Sequence, residues 1–208
     1  RALKVGGETV MFRHEKRFEN PPGFALLISD SLEESEITNR LKRFNKLQYE
    51  RVGITIRPDL IAIRDDSGDA KKIEAVVTKV TQDSDCGIIL MSSNPDIIAS
   101  CLKVCANRKP LIYAVTEDNL DRMVELAKEN TCPVVAKASN LKELAQLTTK
   151  LAEAGVKDIV LDSGSRTIRQ AFEDQLFIRS AALVKKFRPL GFSTIVFPCE
   201  VTDDPMKE

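Results

Sequence analysis

One repeat dominates the chain: a short apolar segment followed by an amphipathic segment, recurring about every 25 residues. The apolar segments are bounded by turn residues, which is typical of strands that are buried on both faces of a parallel sheet. Seven strands are therefore predicted, at 24–29, 60–64, 87–91, 111–115, 134–137, 158–161 and 194–197. Strands that alternate with helices along the chain indicate right-handed βαβ units.

The amphipathic segments open on helix start signals. Ser31 precedes a helix predicted over 32–45, and Asp69 precedes one over 70–81. Proline favours the first helical position, and an Asn or Thr followed three residues later by a polar side chain has capping-box character. Such signals are found at Asn94-Pro95, at Thr116 with Asn119, and at Asn140 with Glu143.

The number of units predicts an α/β architecture, a TIM-like (β/α) barrel. Seven strands alternate with six helices in 208 residues, whereas a complete eight-stranded barrel takes about 250. The prediction is a single barrel domain over 1–208, with seven βα units and the eighth missing. The alternative is a doubly wound open sheet, which usually has five or six strands and a glycine-rich nucleotide turn. Neither G-x-G-x-x-G nor G-x-x-x-x-G-K-[ST] occurs.

Two segments fall outside this repeat. Residues 1–20 are predicted to contain a β-hairpin around Gly6-Gly7, suited to plugging the amino-terminal mouth of a barrel. Residues 51–58 are the least regular stretch of the chain and delay the second strand.

Composition excludes several function classes. Lys+Arg and Asp+Glu number 31 each, so the net charge is zero, which argues against nucleic-acid binding or a polybasic membrane surface. No apolar run approaches the roughly 18 residues of a membrane span. The five cysteines are odd in number and form no C-x-x-C pair, which favours a reduced, cytoplasmic protein.

Candidate site residues follow from the barrel prediction, because barrel sites occupy the loops after the carboxyl ends of the strands. These loops are polar and rich in carboxylates, a lining suited to a metal, to proton transfer or to a heterocyclic ligand such as a pterin. The alternative is that these residues cap the following helices. The candidates for ligand binding are Asp65, Asn94, Glu117, Asn119, Asp162 and Arg166.

Other reactive residues give weaker signals. His14 is the only histidine, so a histidine-based zinc site or a Ser-His-Asp triad is excluded unless His14 supplies it, and we interpret it as structural or interfacial. Lys137 ends a strand but lacks an aldolase-like surrounding for Schiff-base chemistry. Cys101 and Cys105 share a helix face with apolar neighbours and are predicted to be core residues. No catalytic residue and no metal ligand is assigned.

The sequence resembles the large (gamma) subunit of the corrinoid iron–sulfur protein, part of the acetyl-CoA decarbonylase/synthase system of anaerobes. The matching stretches run from end to end of the chain. They are 4–16, whose Phe-Arg-His-Glu-Lys run is the most specific, then 20–23, 49–53, 63–69, 110–119, 159–165 and 187–192.

The resemblance implies a three-part subunit: a [4Fe–4S] domain, a central TIM-like barrel and a carboxyl-terminal corrinoid domain. This chain resembles the barrel alone, so no cofactor ligand transfers to any residue here, and no cofactor is expected in it. The intact subunit would hold cobalamin and the cluster. Its implied partners are a small corrinoid-protein subunit in a heterodimer, a methyltetrahydrofolate or methyltetrahydropterin methyltransferase, and acetyl-CoA synthase.

Three functions remain open. The favoured one is a non-catalytic platform and docking domain of a methyl carrier in one-carbon metabolism, in the Wood–Ljungdahl pathway or its reverse. The second is a pterin-binding methyltransferase barrel with its own site at the carboxyl-terminal mouth, where Asp65, Asn94, Asn119 and Asp162 would converge. The third is an unrelated barrel hydrolase or lyase with Glu117 or Asp162 as its base. Whether this chain is itself an enzyme is left open.

Overall fold

A computed structural model describes residues 3–6, 8–10, 16–18, 20–201 and 204, with backbone only for 8–10 and 16–18. His14 lies outside the described residues. The chain forms two compact units. Unit 1 runs to Tyr113 and includes Glu129–Cys132, and unit 2 comprises Ala114–Lys128 and the residues from Pro133 onward. The prediction of a single domain stays a prediction.

The described residues contain eleven strands and seven α-helices. The strands are β1 (Glu8–Val10), β2 (Lys16–Phe18), β3 (Ala25–Ser29), β4 (Tyr49–Arg51), β5 (Ile54–Ile56), β6 (Leu60–Arg64), β7 (Gly87–Met91), β8 (Leu111–Val115), β9 (Val134–Lys137), β10 (Ile159–Asp162) and β11 (Ser193–Thr194). The helices are α1 (Glu34–Lys46), α2 (Ala70–Asp83), α3 (Pro95–Cys105), α4 (Leu120–Asn130), α5 (Leu141–Glu153), α6 (Ile168–Leu183) and α7 (Pro198–Val201). None of these helices is long and apolar enough to cross a membrane.

Parallel strands form the core of unit 1. β3 pairs with β6, β6 with β7, and β7 with the first residues of β8. Ile28 lies opposite Ile63, which in turn lies opposite Leu90, and all three side chains are fully buried. The strands are buried on both faces, which explains why their sequences are continuous apolar runs rather than alternating ones.

Unit 2 repeats the pattern. β9 and β10 pair in parallel, and β10 pairs with β11. The last predicted strand, 194–197, is shorter in the structure, where only Ser193–Thr194 form the strand. The Ile195 N–H still donates to the Leu161 carbonyl at 2.9 Å. Pro198 then opens α7 and ends the extended chain, because a proline has no N–H for the ladder.

Most predicted helix starts are confirmed. Asp69, Asn94 and Asn140 each accept a backbone N–H at the start of α2, α3 and α5. A capping box joins Thr116 to Asn119 around a 3-10 turn that leads into α4. The prediction for Ser31 is wrong, because α1 begins at Glu34 and its cap residue makes no side-chain bond.

Two hairpins differ from expectation. The amino-terminal hairpin exists, but it pairs β1 with β2 and not the residues on either side of Gly6-Gly7. The second hairpin, β4–β5, was missed because the tip dipeptide Val52-Gly53 lacks the usual Asn-Gly signal. It overlaps the stretch 51–58, which the sequence marks as the least regular.

Candidate functional site

In unit 1, Asp65 and Asn94 are brought together by Ser92. The Ser92 hydroxyl donates to Asp65 Oδ2 at 2.7 Å and accepts the Asn94 N–H at 3.1 Å. Asp65 Oδ1 also accepts the Gly68 N–H at 2.9 Å, and Asn94 Oδ1 accepts the Asp96 N–H at 2.9 Å. Both candidate side chains therefore shape their own loops through bonds that also hold the start of the next helix.

Asp30 is a buried carboxylate at the same end of this sheet, and it was not among the predicted site residues. Its Oδ1 accepts the backbone N–H groups of Asp66 at 2.9 Å and Ser67 at 3.0 Å, and its Oδ2 accepts the Ser67 hydroxyl at 2.5 Å. It is 4% exposed. The available signal was its position directly after a predicted strand, in the dipeptide Ser29-Asp30. Its role is to fix the loop after β6.

In unit 2, the buried Asp162 forms an ion pair with the half-buried Arg166. Arg166 Nη2 lies 3.0 Å from Asp162 Oδ2, and Nη1 lies 3.2 Å from Oδ1. The Gly164 N–H adds a third donor to Asp162 at 2.8 Å. Arg166 Nε binds Glu200 at 2.7 Å, and its guanidinium lies 4.7 Å from the centre of the Phe197 ring. Arg166 thus ties the loop after β10 to the segment after β11.

The loop 162–167 is held together by its own side chains. The hydroxyls of Ser163 and Ser165 lie 2.9 Å apart, and Ser165 donates to Asp174 of α6. Thr167 caps α6 by accepting the Gln170 N–H at 3.3 Å. Both serines are buried. The hydroxyl groups of this loop are therefore engaged in bonds within the chain, and the loop is a structural turn.

Glu117 and Asn119 have different surroundings, although both lie in the 3-10 turn after β8. Glu117 is exposed and forms an ion pair with Lys150 of α5. Asn119 accepts the Thr116 N–H at 2.9 Å and donates to the Ala114 carbonyl at 3.2 Å. The alternative reading of these polar loops, as helix caps, therefore describes Asn94 and Asn119 directly.

The cysteines do not fit an iron–sulfur cluster. Such a cluster takes four cysteine ligands. Burial raises the pKa of Cys101 and Cys105 to about 12 and that of Cys132 to about 11. Burial also raises the pKa of Cys86. Across the described ranges, no group of three or more His, Cys, Asp or Glu side chains could hold a metal ion. The prediction that Cys101 and Cys105 are core residues is confirmed.

All six candidate side chains make contacts within the chain. Asp162 is the last residue of β10, and the other five candidates lie in segments that follow strands. Each of the six makes a hydrogen bond or an ion pair within its own unit. Lys137 ends β9, as predicted. The binding of a ligand by the six candidate residues stays a prediction.

Comparison with known proteins relates the whole chain to a family of complex subunits. The profile of the family described as CO dehydrogenase/acetyl-CoA synthase delta subunit matches residues 1–202. The "Corrinoid/iron-sulfur protein large subunit" of Moorella thermoacetica is 38% identical over 93% of this chain and 44% of its own length. The "Acetyl-CoA decarbonylase/synthase complex subunit gamma" of Methanocaldococcus jannaschii is 32% identical over 93% of this chain and 40% of its own length. The chain therefore spans less than half the length of these relatives.

Solved structures show the fold. A Yersinia pestis dihydropteroate synthase with a pterine-sulfa conjugate superposes with a TM-score of 0.56 at 14% identity, covering 80% of this chain and 68% of that one. The chain has the TIM-like (β/α) barrel fold, as predicted from the strand–helix repeat.

Proposed function

This chain belongs to the CO dehydrogenase/acetyl-CoA synthase delta subunit family, and on that premise we propose that it is the barrel portion of a corrinoid iron–sulfur methyl carrier. The intact protein would take a methyl group from methyl-tetrahydrofolate or a methyl-tetrahydropterin, through a methyltransferase, and deliver it to acetyl-CoA synthase. The barrel serves as platform and docking scaffold and is not catalytic alone.

The relatives carry this proposal. Those cited are named as the large subunit of a corrinoid/iron–sulfur protein and as the gamma subunit of the acetyl-CoA decarbonylase/synthase complex. The partners are a small corrinoid-protein subunit in a heterodimer, the methyltransferase and acetyl-CoA synthase. Cobalamin and a [4Fe–4S] cluster belong to the remainder of the intact subunit, which acts in the cytoplasm.

The residues of this chain supply rigidity. Asp30 and Asp162 are buried carboxylates that hold loops at the carboxyl ends of strands. Arg166 neutralises Asp162 and binds Glu200 as well. A carrier that meets several partners in turn needs a platform whose surface keeps one shape, and fully bonded buried polar groups make such loops stiff.

The test is methyl transfer by the full-length protein, anaerobically reconstituted with cobalamin and treated with a low-potential chemical reductant that brings the cobalt to Co(I). The cobalt oxidation state is followed by absorbance. We expect methylation by methyl-tetrahydrofolate or a methyl-tetrahydropterin in the presence of a methyltransferase, and none in its absence. Methylation without any methyltransferase would contradict the assignment of the barrel as a platform. A full-length protein that retains no corrinoid would contradict the carrier itself.

A second candidate is a pterin-binding methyltransferase barrel. It is favoured by the barrel's likeness to a dihydropteroate synthase whose structure contains a pterine-sulfa conjugate. Calorimetric titration of the full-length protein with methyl-tetrahydrofolate and with a methyl-tetrahydropterin separates the two candidates. The platform predicts no heat of binding at the barrel, so Asp162→Ala and Asn119→Ala leave any signal unchanged. Saturable binding that both substitutions abolish would establish the second candidate instead.

A further inference from the structure

The hairpin β4–β5 presents an uncovered apolar face. Tyr49 lies opposite Ile56, and Arg51 lies opposite Ile54. Side chains directly opposite each other, and those two residues apart, share one face of a ribbon. One face therefore carries Tyr49, Arg51, Ile54 and Ile56, and the other carries Glu50 and Thr55. Tyr49 is 57% exposed and Ile54 66%.

The tip of the hairpin carries an apolar side chain in a strained backbone conformation. Val52 has a φ of 50° and Gly53 a φ of 74°. Such a two-residue turn prefers Asn-Gly, and a β-branched residue with positive φ is a genuine outlier. Val52 is also 93% exposed. The turn requires positive φ at both positions, so the fold accounts for the backbone conformation but not for a β-branched apolar side chain at a position almost fully in water.

The surroundings of the hairpin are basic. Residues 40–57 contain six Lys or Arg and one acidic residue, in a chain of zero net charge. Within the described ranges, no ion pair includes Lys46, Arg51 or Arg57. All three are exposed. Their charges are available to a partner of opposite sign.

We propose that Lys46, Tyr49, Arg51, Val52, Ile54 and Arg57 form a docking surface, the basic hairpin patch, for an acidic surface of another protein subunit. Charge complementarity selects an acidic partner and accelerates its association. Tyr and Arg around an apolar centre are the composition of protein–protein hot spots. A strand platform for nucleic acid would instead present several aromatic rings for base stacking, and this patch has Tyr49 only.

The position of the patch suits a docking role. The hairpin joins α1 to β6 and so lies before the amino end of β6, whereas Asp65 follows its carboxyl end. A partner bound to the patch leaves the carboxyl ends of the unit 1 strands open. This inference rests on the proposed function, because it takes the partner to be another subunit of the acetyl-CoA decarbonylase/synthase complex.

The experiment compares binding of the full-length protein to each of the other purified subunits of its complex, measured by biolayer interferometry at two salt concentrations. Arg51→Glu/Arg57→Glu is expected to weaken binding to one subunit by about 100-fold, and Val52→Asp by about tenfold. The matched control, Lys128→Glu/Lys157→Glu, makes the same charge change at exposed positions elsewhere and is expected to bind normally. Circular dichroism checks that each variant is folded.

Every outcome decides the proposal. Normal subunit binding by both patch variants overturns it, and so does equal loss in the control. Weakened binding of a 20-base-pair DNA or of vesicles with one third phosphatidylserine, with subunit binding intact, assigns the patch to another class of partner. A shift from dimer to monomer in sedimentation assigns it to a second copy. Methyl transfer is measured in parallel. Methyl transfer together with normal subunit binding by the patch variants refutes the docking surface alone, whereas the absence of methyl transfer refutes the proposed function.

Discussion

Arg166 and Asp162 face each other with two parallel contacts, Nη1 to Oδ1 at 3.2 Å and Nη2 to Oδ2 at 3.0 Å. The Asp162 side chain is 2% exposed, so its charge depends on this partner. Four residues separate the two in sequence, yet the contact is not a helical one, because the intervening loop turns at Gly164, whose φ is 76°.

Removal of the Arg166 side chain is expected to destabilise the fold. Arg166→Ala leaves a buried carboxylate without its counter-charge, and we expect the free energy of unfolding to fall by about 3 kcal/mol. Arg169→Ala is the control, because it removes an exposed pair with Glu173 and should cost less than about 0.5 kcal/mol. Urea denaturation measures both. Equal losses would show that Asp162 does not depend on Arg166.

Substitution of Gly164 is expected to cost more than that of a comparable glycine. A Cβ at Gly164 would lie 2.7 Å from the Ala138 carbonyl oxygen, and the backbone is left-handed as well. Gly164→Ala should therefore lower stability by about 3 kcal/mol. Gly155 has a φ of 87° but no atom within 4 Å of its Cβ position, so Gly155→Ala should cost about 1 kcal/mol. Thermal melting ranks the two, and the reverse order would refute the steric argument.

Stability is expected to fall as the solution becomes alkaline. The ordinary pKa of the Cys101 and Cys105 thiols is 9.0, and burial raises it to about 12 in the folded state. The unfolded chain ionises first, so the contribution is complete below pH 9 and is lost as the pH rises from 9 towards 12. Denaturation midpoints between pH 8 and 10.5 measure the fall. The variant Cys101→Ala/Cys105→Ala should show a shallower decline, and an unchanged slope would exclude these thiols as its cause.

Arg108 is expected to stabilise the end of α2. Its guanidinium donates to the carbonyls of Thr81 at 3.2 Å, Ser84 at 2.8 Å and Cys86 at 2.8 Å. A lysine cannot reproduce this fork, so Arg108→Lys should cost about 2 kcal/mol. Arg122→Lys, which alters an exposed pair with Glu125, should change stability by less than about 0.5 kcal/mol. Urea denaturation measures both variants. An unchanged free energy of unfolding for Arg108→Lys would contradict the stabilising role of Arg108.

The helix caps were predictable because they are local. Asn94 and Asn140 bond to backbone groups two or three residues away, so the residue type and its spacing carry the information. The seven parallel strands were predictable for a related reason, since burial on both faces requires an unbroken apolar run. The hairpin β4–β5 was not, because Val52-Gly53 departs from the turn chemistry that usually marks such a loop.

The candidate site, like the fold, was predictable only where it depends on local sequence. The position of Asp65 and Asp162 after strands followed from the repeat alone. The bonding of Asp65 did not, because its partner Ser92 lies 27 residues away in sequence. Nothing in the spacing of those residues distinguishes a carboxylate that waits for a ligand from one that already holds a neighbouring loop.

The sequence by itself determined the barrel class, the caps and the family resemblance, because these depend on periodicity, local chemistry and matched stretches. The tertiary structure decided which polar groups are bonded to which, that Asp30 is buried, and that an apolar hairpin face remains exposed. The physical reason is separation along the sequence. A contact between residues that are distant in sequence, and the burial that results from it, depends on how the strands align in space, and no local pattern encodes that alignment.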